Sequence, residues 1–366
     1  MNMKILLLSG YDAVSHKYWR ELLAKNLPEF EWTQLALPDR YFQWRVRGNS
    51  LTFAKKFADI LSRDYDLLIV TSMVDLVSLR GMVPKLASIP NLVYCHENQF
   101  DYPVTAHQSE MINIQLTNIY TLVCADRVIF NSAYNLATSL SGVRNFLKKM
   151  PDEVPDNLVE LIESKSFVLP VPIESQPENA KEKRAPMPVI LWNHRWEYDK
   201  QPEVFFEALT RLKSAGYKFR LNILGQSFRK QPECFEKARE RLKDEILNWG
   251  YQPKAVYWKC LSQSDIVVST ALHDFQGLST LEAIHCGATP VVPDRVAYPE
   301  YVPDSLRYKL GEGIDEAEQL FSLLVSLLNH NQLPEVDVSQ YLTSNIIPQY
   351  RKQIIDLLGN TSETRV

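Results

Sequence analysis

Residues 189–214 read VILWNHRWEYDKQPEVFFEALTRLKS. The run Val189–Asn193 is too short for a helix and suits a strand buried on both faces. Pro202 sits where a first helical turn needs no N–H, and a helix is expected over Pro202–Ser214. A strand, a short polar loop and a helix make half of a βαβ unit, the building block of a parallel sheet. The same alternation continues on both sides. Further strands are expected at Arg220–Leu224, Ile266–Ser269 and Thr289–Val292, with helices at Pro232–Asn248 and Leu278–Cys286 and terminal helices at Asp315–Leu328 and Asn345–Leu358. Upstream, strands are expected at Lys4–Ser9, Trp32–Leu37, Leu67–Thr71, Leu92–Cys95, Arg127–Asn131 and Phe167–Leu169, with helices such as Leu51–Ser62 and Met111–Cys124.

Between the two series lies PVPIESQPENAKEKRAPMP, residues 170–188, where repeated proline denies helix and central strand and a linker is expected. An α/β chain of two Rossmann-like domains with parallel sheets facing across a cleft is thus expected. The boundaries read as 1–172, a linker at 173–187, 188–340, and a terminal segment 341–366 whose end, from Gly359, is frayed. In such sheets ligands bind at the carboxyl ends of the strands, and a cleft between two of them is the default site.

Composition narrows the function. The 366 residues suit two domains at about 150 residues each. Hydrophobic residues make up 45% and charged residues 23%, enough apolar surface to exclude disorder as the dominant state. With 40 Lys and Arg against 44 Asp and Glu the net charge is -4, so nucleic acid would have to be gripped by a local patch. Five widely spaced cysteines without C-x-x-C fit reduced thiols, not a disulfide framework or a thiolate zinc site. The apolar run Ile5–Leu8 is shorter than a signal-peptide core or a membrane span, so a cytoplasmic protein without membrane association is expected. No G-x-G-x-x-G follows any strand, which disfavours a dinucleotide oxidoreductase.

Two segments carry chemistry. Arg195 and Lys200 place two cations on one strand-to-helix loop, a planar fork and a mobile point charge suited to a diphosphate; alone, they equally suit a solvated loop. The second segment, His273 to Glu282, follows the strand Ile266–Ser269. Gly277 permits close backbone approach to a ligand. Leu278, Ser279 and Thr280 open a helix whose free N–H groups favour anions. Glu282, a turn further on, suits two vicinal sugar hydroxyls. A capping acid would explain Glu282 alone, but not the glycine and both carboxylates together.

The order R-x4-K (Arg195, Lys200) followed by [D/E]-x7-E (Asp274, Glu282) resembles the donor half of retaining GT-B glycosyltransferases of the family 4 type. The resemblance implies that Arg195 and Lys200 hold a nucleotide-sugar diphosphate, Glu282 the ribose, and Asp274 with Gly277, Leu278 and Ser279 the transferred hexose. The family's usual first acid is Glu; here it is Asp274. Gly225 and the segment Trp249-Gly250-Tyr251 match the positions flanking the family's base pocket. The first half, through Ser15-His16-Lys17, Gln43-Trp44-Arg45-Val46-Arg47, His96-Glu97-Asn98-Gln99 and Asn131-Ser132, resembles the narrower glycosyltransferase-like domain-containing group, which includes tRNA-queuosine α-mannosyltransferases. The family's Gly-Gly before Ser-His is here replaced by Asp12-Ala13-Val14 after Gly10-Tyr11. This resemblance implies GDP-mannose as donor, queuosine in tRNA(Asp) as acceptor, and no cofactor or metal. It makes His96 catalytic, near the hexose, together with Arg195, Lys200 and Asp274. On the acceptor side it places Ser15, His16, Trp44, Arg45, Arg47, Glu97, Asn98 and Asn131. The terminal helix is then expected to pack back on the first domain. Transfer to another small molecule or glycan, or nucleotide-sugar binding without turnover, stays open.

Two stretches have rival readings. Arg40 to Arg47 interleaves aromatics and arginines and either contacts RNA or is a loop that plugs its aromatics into the core. Asp64-Tyr65-Asp66 has the form of a metal-binding D-x-D, but it precedes the strand Leu67–Thr71, the wrong end for a ligand, and reads as a solvated strand entry.

Overall fold

The computed structural model describes residues 2–101, 108–175, 187–227, 232–330 and 332–363. The chain divides into two compact units, Met1–Pro172 with Ser344–Val366, and Ile173–Thr343. Most of the expected linker, residues 176–186, lies outside the described residues. Ile173 already belongs to the second unit, where its N–H donates to Tyr341 O at 2.9 Å.

The first unit holds six strands, β1 (Lys4–Ser9), β2 (Glu31–Ala36), β3 (Leu67–Thr71), β4 (Asn91–Cys95), β5 (Arg127–Phe130) and β6 (Ser166–Val168). They are all parallel, in the order β2-β1-β3-β4-β5-β6. Ile5 stands between Trp32 and Leu67 in register. Leu6, Leu8, Leu68, Val70, Val93 and Phe130 are buried in one core, and burial on both faces accounts for the unbroken apolar runs. The final helix, Thr343–Glu363, is pinned to this sheet: Tyr350 Oη accepts from Trp19 Nε1 at 3.0 Å, and Arg127 Nη1 donates to Gln353 O at 2.6 Å.

The second unit repeats the plan with β7 (Val189–Asn193), β8 (Arg220–Leu224), β9 (Ile246–Gly250), β10 (Ile266–Val268), β11 (Thr289–Pro293) and β12 (Arg307–Tyr308), all parallel in the order β12-β11-β10-β7-β8-β9. In each sheet the chain winds outward in both directions from one central pair, β1 and β3 in the first, β7 and β10 in the second. The crevice at the carboxyl ends of such a pair is where doubly wound sheets bind ligands.

Three expectations are corrected. The helix expected from Leu51 begins at Phe42 and runs to Lys56, so the basic aromatic stretch is helical from Phe42 onward, not a loop. Its buried face hides the period because it is polar: Asn49 Nδ2 donates to Met73 O at 2.9 Å and Ser50 Oγ to Asp75 O at 2.6 Å. The helix expected over Pro232–Asn248 is only Cys234–Arg241, and Ile246–Gly250 is the edge strand β9. Charged residues dominate 236–245 and mask that strand. The last helix continues five residues past Leu358, through part of the stretch expected to fray; 364–366 lie outside the described residues.

Candidate active site

The β7–β10 crevice gathers most of the donor-side residues. β7 ends at Asn193, and Arg195 to Lys200 bridge to the helix Pro202–Ser214, which starts on its proline. Gly225, at φ +133°, lets this bridge close down: a Cβ there would lie 1.8 Å from His194 O. Lys200 is buried. Its Nζ donates to His273 O and stands 3.2 Å from Asp199 Oδ2 and 4.0 Å from Asp274 Oδ2. Asp274 accepts from Gly277 N–H at 2.8 Å and from Tyr298 Oη at 3.1 Å. Burial pushes its carboxyl up, but Lys200, His194, Tyr298 and the Gly277 N–H outweigh this and hold it below the ordinary value. Gly277 caps the helix Leu278–His285 at φ +78°, and a Cβ would meet Tyr301 Oη at 2.5 Å.

A second chain of bonds ties β7 to the acid on that helix. Asn193 Nδ2 donates to Ser279 O at 2.9 Å and to Tyr257 Oη at 3.3 Å, and Tyr257 donates to Glu282 Oε2 at 2.6 Å. Burial raises the Glu282 carboxyl to about 7, against the pull of Tyr257 and Lys254. Burial and the nearby Lys200 drive His194 down to about 4, so it is neutral. Asn193 Oδ1, His194 Nε2 and Thr280 Oγ1 are buried without a partner among the described residues. Buried polar atoms are seldom left so unless a water or ligand completes them. Arg195 stands 56% exposed, 3.1 Å from Glu197. Tyr251 is 74% exposed beside Gly250.

In the first unit the named residues fall into three groups. His16, in the first turn of the helix Val14–Asn26, stacks on His96, the residue after β4, with ring centroids 4.0 Å apart. Glu97 Oε2 lies 3.1 Å from His16 Nε2, and Ser15 is half-buried beside them in sequence. Asn98 and Asn131 spend their amides on protein. Asn98 Nδ2 donates to Asn135 Oδ1 (3.0 Å) and Thr138 Oγ1 (2.9 Å), its Oδ1 accepts from the Phe100 and Asp101 N–H groups, and Asn131 Nδ2 donates to His96 O at 2.8 Å. The third group is the helix Phe42–Lys56. Trp44 and Arg47 are exposed while Arg45 is buried; Arg47 reaches Asp75 at 3.9 Å and also donates to Thr117 Oγ1. Asp64, before β3, pairs with Lys85 at 2.7 Å on the surface. No group of three or more metal-ligating side chains occurs among the described residues.

Sequence reasoning missed Tyr257, Tyr298 and His194. Tyr257 and Tyr298 sit in elements with no local signal linking them to Glu282 or Asp274. His194 could have been found, since it lies inside the loop already singled out by its cations.

A doubly wound pair of sheets with a buried lysine, two acids and a glycine-capped helix at one crevice defines a GT-B glycosyltransferase. Solved structures agree on the fold. The catalytic domain of starch synthase IV from Arabidopsis thaliana superposes with TM-score 0.68 at 10% identity over 98% of this chain and all of that one. Sucrose-phosphate synthase from Thermosynechococcus elongatus does so with TM-score 0.66 at 12% identity, over 98% and 100%. Residues 4–173 match the family model of the tRNA-queuosine alpha-mannosyltransferase N-terminal domain and 174–334 that of glycosyl transferases group 1. A tRNA-queuosine alpha-mannosyltransferase of Drosophila melanogaster is 30% identical over 94% of this chain and 95% of its own length. The chain belongs to this tRNA-queuosine alpha-mannosyltransferase family of GT-B glycosyltransferases.

Proposed function

We propose that the enzyme moves a mannosyl group from GDP-mannose, with retention, onto queuosine in tRNA(Asp). A glycosyltransferase of this family needs a nucleotide-sugar donor, and the observation that carries the chemistry is the β7–β10 crevice. There Lys200, the open helix start at Leu278 and Ser279, and the unpartnered Asn193, His194 and Thr280 atoms offer the charge and hydrogen bonds a diphosphate takes. Arg195 adds a mobile fork. Glu282, one turn on, takes the ribose hydroxyls, Gly250 and Tyr251 the base, and Asp274 the hexose; in the first unit, His96 is the residue read as a hexose contact. The acceptor hydroxyl bonds to the anomeric carbon on the face from which the diphosphate departs, and its proton passes to a leaving phosphate oxygen. Orientation then supplies much of the rate.

The relative's name and the first unit both support this acceptor. Tyr41 and Trp44 are 74% and 57% exposed, not plugged into the core. Trp44, Arg47, Leu51 and Lys55 recur along one outward stripe of the helix Phe42–Lys56. Aromatic faces interleaved with cations suit unpaired bases and their phosphates. Such a substrate would be met in the cytosol.

The test is transfer itself. Purified enzyme is incubated with GDP-mannose and queuosine-bearing tRNA(Asp), and the digested nucleosides are read by mass spectrometry. A hexosylated queuosine, absent with tRNA lacking queuosine and with UDP-sugars, is expected. Hexose transfer to none of these tRNAs, with donor consumed on another acceptor, would overturn the assignment.

A further inference from the structure

The helix Val14–Asn26 and the end of β4 build a side-chain relay behind His96. His96 is locked on several sides. Asn131 holds its carbonyl, Trp19 and Tyr94 meet its ring edge to face at 5.1 and 4.7 Å, and His16 covers it at 4.0 Å with planes 15° apart. His16 is in turn held at Nε2 by Glu97 Oε2, 3.1 Å away. A carboxylate only accepts, so this contact keeps the His16 proton on Nε2 and fixes the ring plane. Beyond these contacts, His16 Nδ1 and His96 Nε2 are buried with no partner among the described residues. Burial keeps His96 well below the ordinary imidazole range, so it is neutral.

Two unpaired ring nitrogens inside a packed aromatic box at the carboxyl edge of a parallel sheet are costly unless something completes them. Locking a reacting side chain by packing and by hydrogen bonds behind it is what preorganises a site. We propose that Glu97 and His16 are positioning residues: Glu97 sets the tautomer and plane of His16, and His16, through the ring stack, sets the orientation in which His96 meets the sugar. This rests on the reading of His96 as a hexose contact.

Two measurements test it. The first is independent of turnover. The imidazole nitrogen signals of His16, seen by long-range proton–nitrogen NMR, should report an Nε2–H tautomer in the wild type and in Glu97→Gln, whose amide oxygen still accepts. They should lose it in Glu97→Ala. An unchanged tautomer in Glu97→Ala would overturn the relay even if His96 contacts the hexose.

The second is kinetic, on folded variants with unchanged near-ultraviolet circular dichroism. Glu97→Ala and His16→Phe should lower kcat by roughly ten- to a hundredfold while donor KM stays within about threefold, and Glu97→Gln should recover most of the loss. Full kcat in Glu97→Ala or in His16→Phe, or equal damage in Glu97→Gln and Glu97→Ala, would overturn the proposal. If the tautomer behaves as expected but His96→Ala transfers sugar normally, the hexose contact fails instead.

Discussion

The two units share one sheet plan but furnish its binding edge differently. At the β7–β10 crevice of the second unit stand a buried lysine, two carboxylates and the start of a glycine-capped helix. At the corresponding edge of the first unit stand two stacked imidazoles, buried amides and an outward aromatic stripe. The backbone architecture makes a crevice in both. What each crevice can hold is decided by a few side chains on the loops that follow the strands. Charge at one edge suits a leaving diphosphate. The stacked rings and buried amides at the other suit a polyhydroxyl substrate held in place.

The sharpest way to break this contrast is to remove charge from the second unit. Lys200→Ala should lower kcat/KM by roughly a thousandfold and Arg195→Ala by about a hundredfold. Because Arg195 is largely exposed, its loss should change unfolding free energy by no more than about 0.5 kcal/mol in urea titrations. If Arg195→Ala turns over normally, the diphosphate grip excludes that fork. In the first unit, Trp44→Ala should weaken tRNA binding about tenfold in a filter or fluorescence titration and leave donor KM alone. Unweakened tRNA binding would separate the aromatic stripe from the acceptor.

A smaller effect sharpens the electrostatics. The folded Glu282 carboxyl titrates near 7, above its ordinary value, so the native state holds a proton that the unfolded chain releases. Its penalty is absent below about pH 4.5, grows through the range up to 7, and is complete above it. Glu282→Gln should therefore be more stable than the wild type at pH 8, by on the order of 2 kcal/mol, and the gap should close by pH 4.5. A gap that does not change with pH would place this carboxyl in contact with water. Asn98→Ala should cost about 1–3 kcal/mol of stability, because its amide ties the segment after β4 to the helix Ala133–Leu147.

How much of this was legible depended on how local the signal is. Strands such as Leu67–Thr71 and Val189–Asn193 are apolar up to their last residue because both faces are covered, and they stand out from any neighbour. β9 does not, because it is an edge strand following a charged helix. The loop from Arg195 to Lys200 and the segment from Asp274 to Glu282 carry their chemistry in residue type and spacing. What spacing could not convey is how the side chains are spent. Asn98 and Asn131 stand at strand ends like ligands, yet they bond to residues 37 and 35 positions away along the chain. Tyr257 joins Glu282 to Asn193 only through folding.

Calorimetric titration of GDP and GDP-mannose into the wild type and Lys200→Ala addresses the grip on the diphosphate most directly. Both nucleotides should bind the wild type, with mannose alone far weaker, and the variant should lose at least tenfold for each. Equal affinity of the variant and the wild type for GDP would contradict that grip.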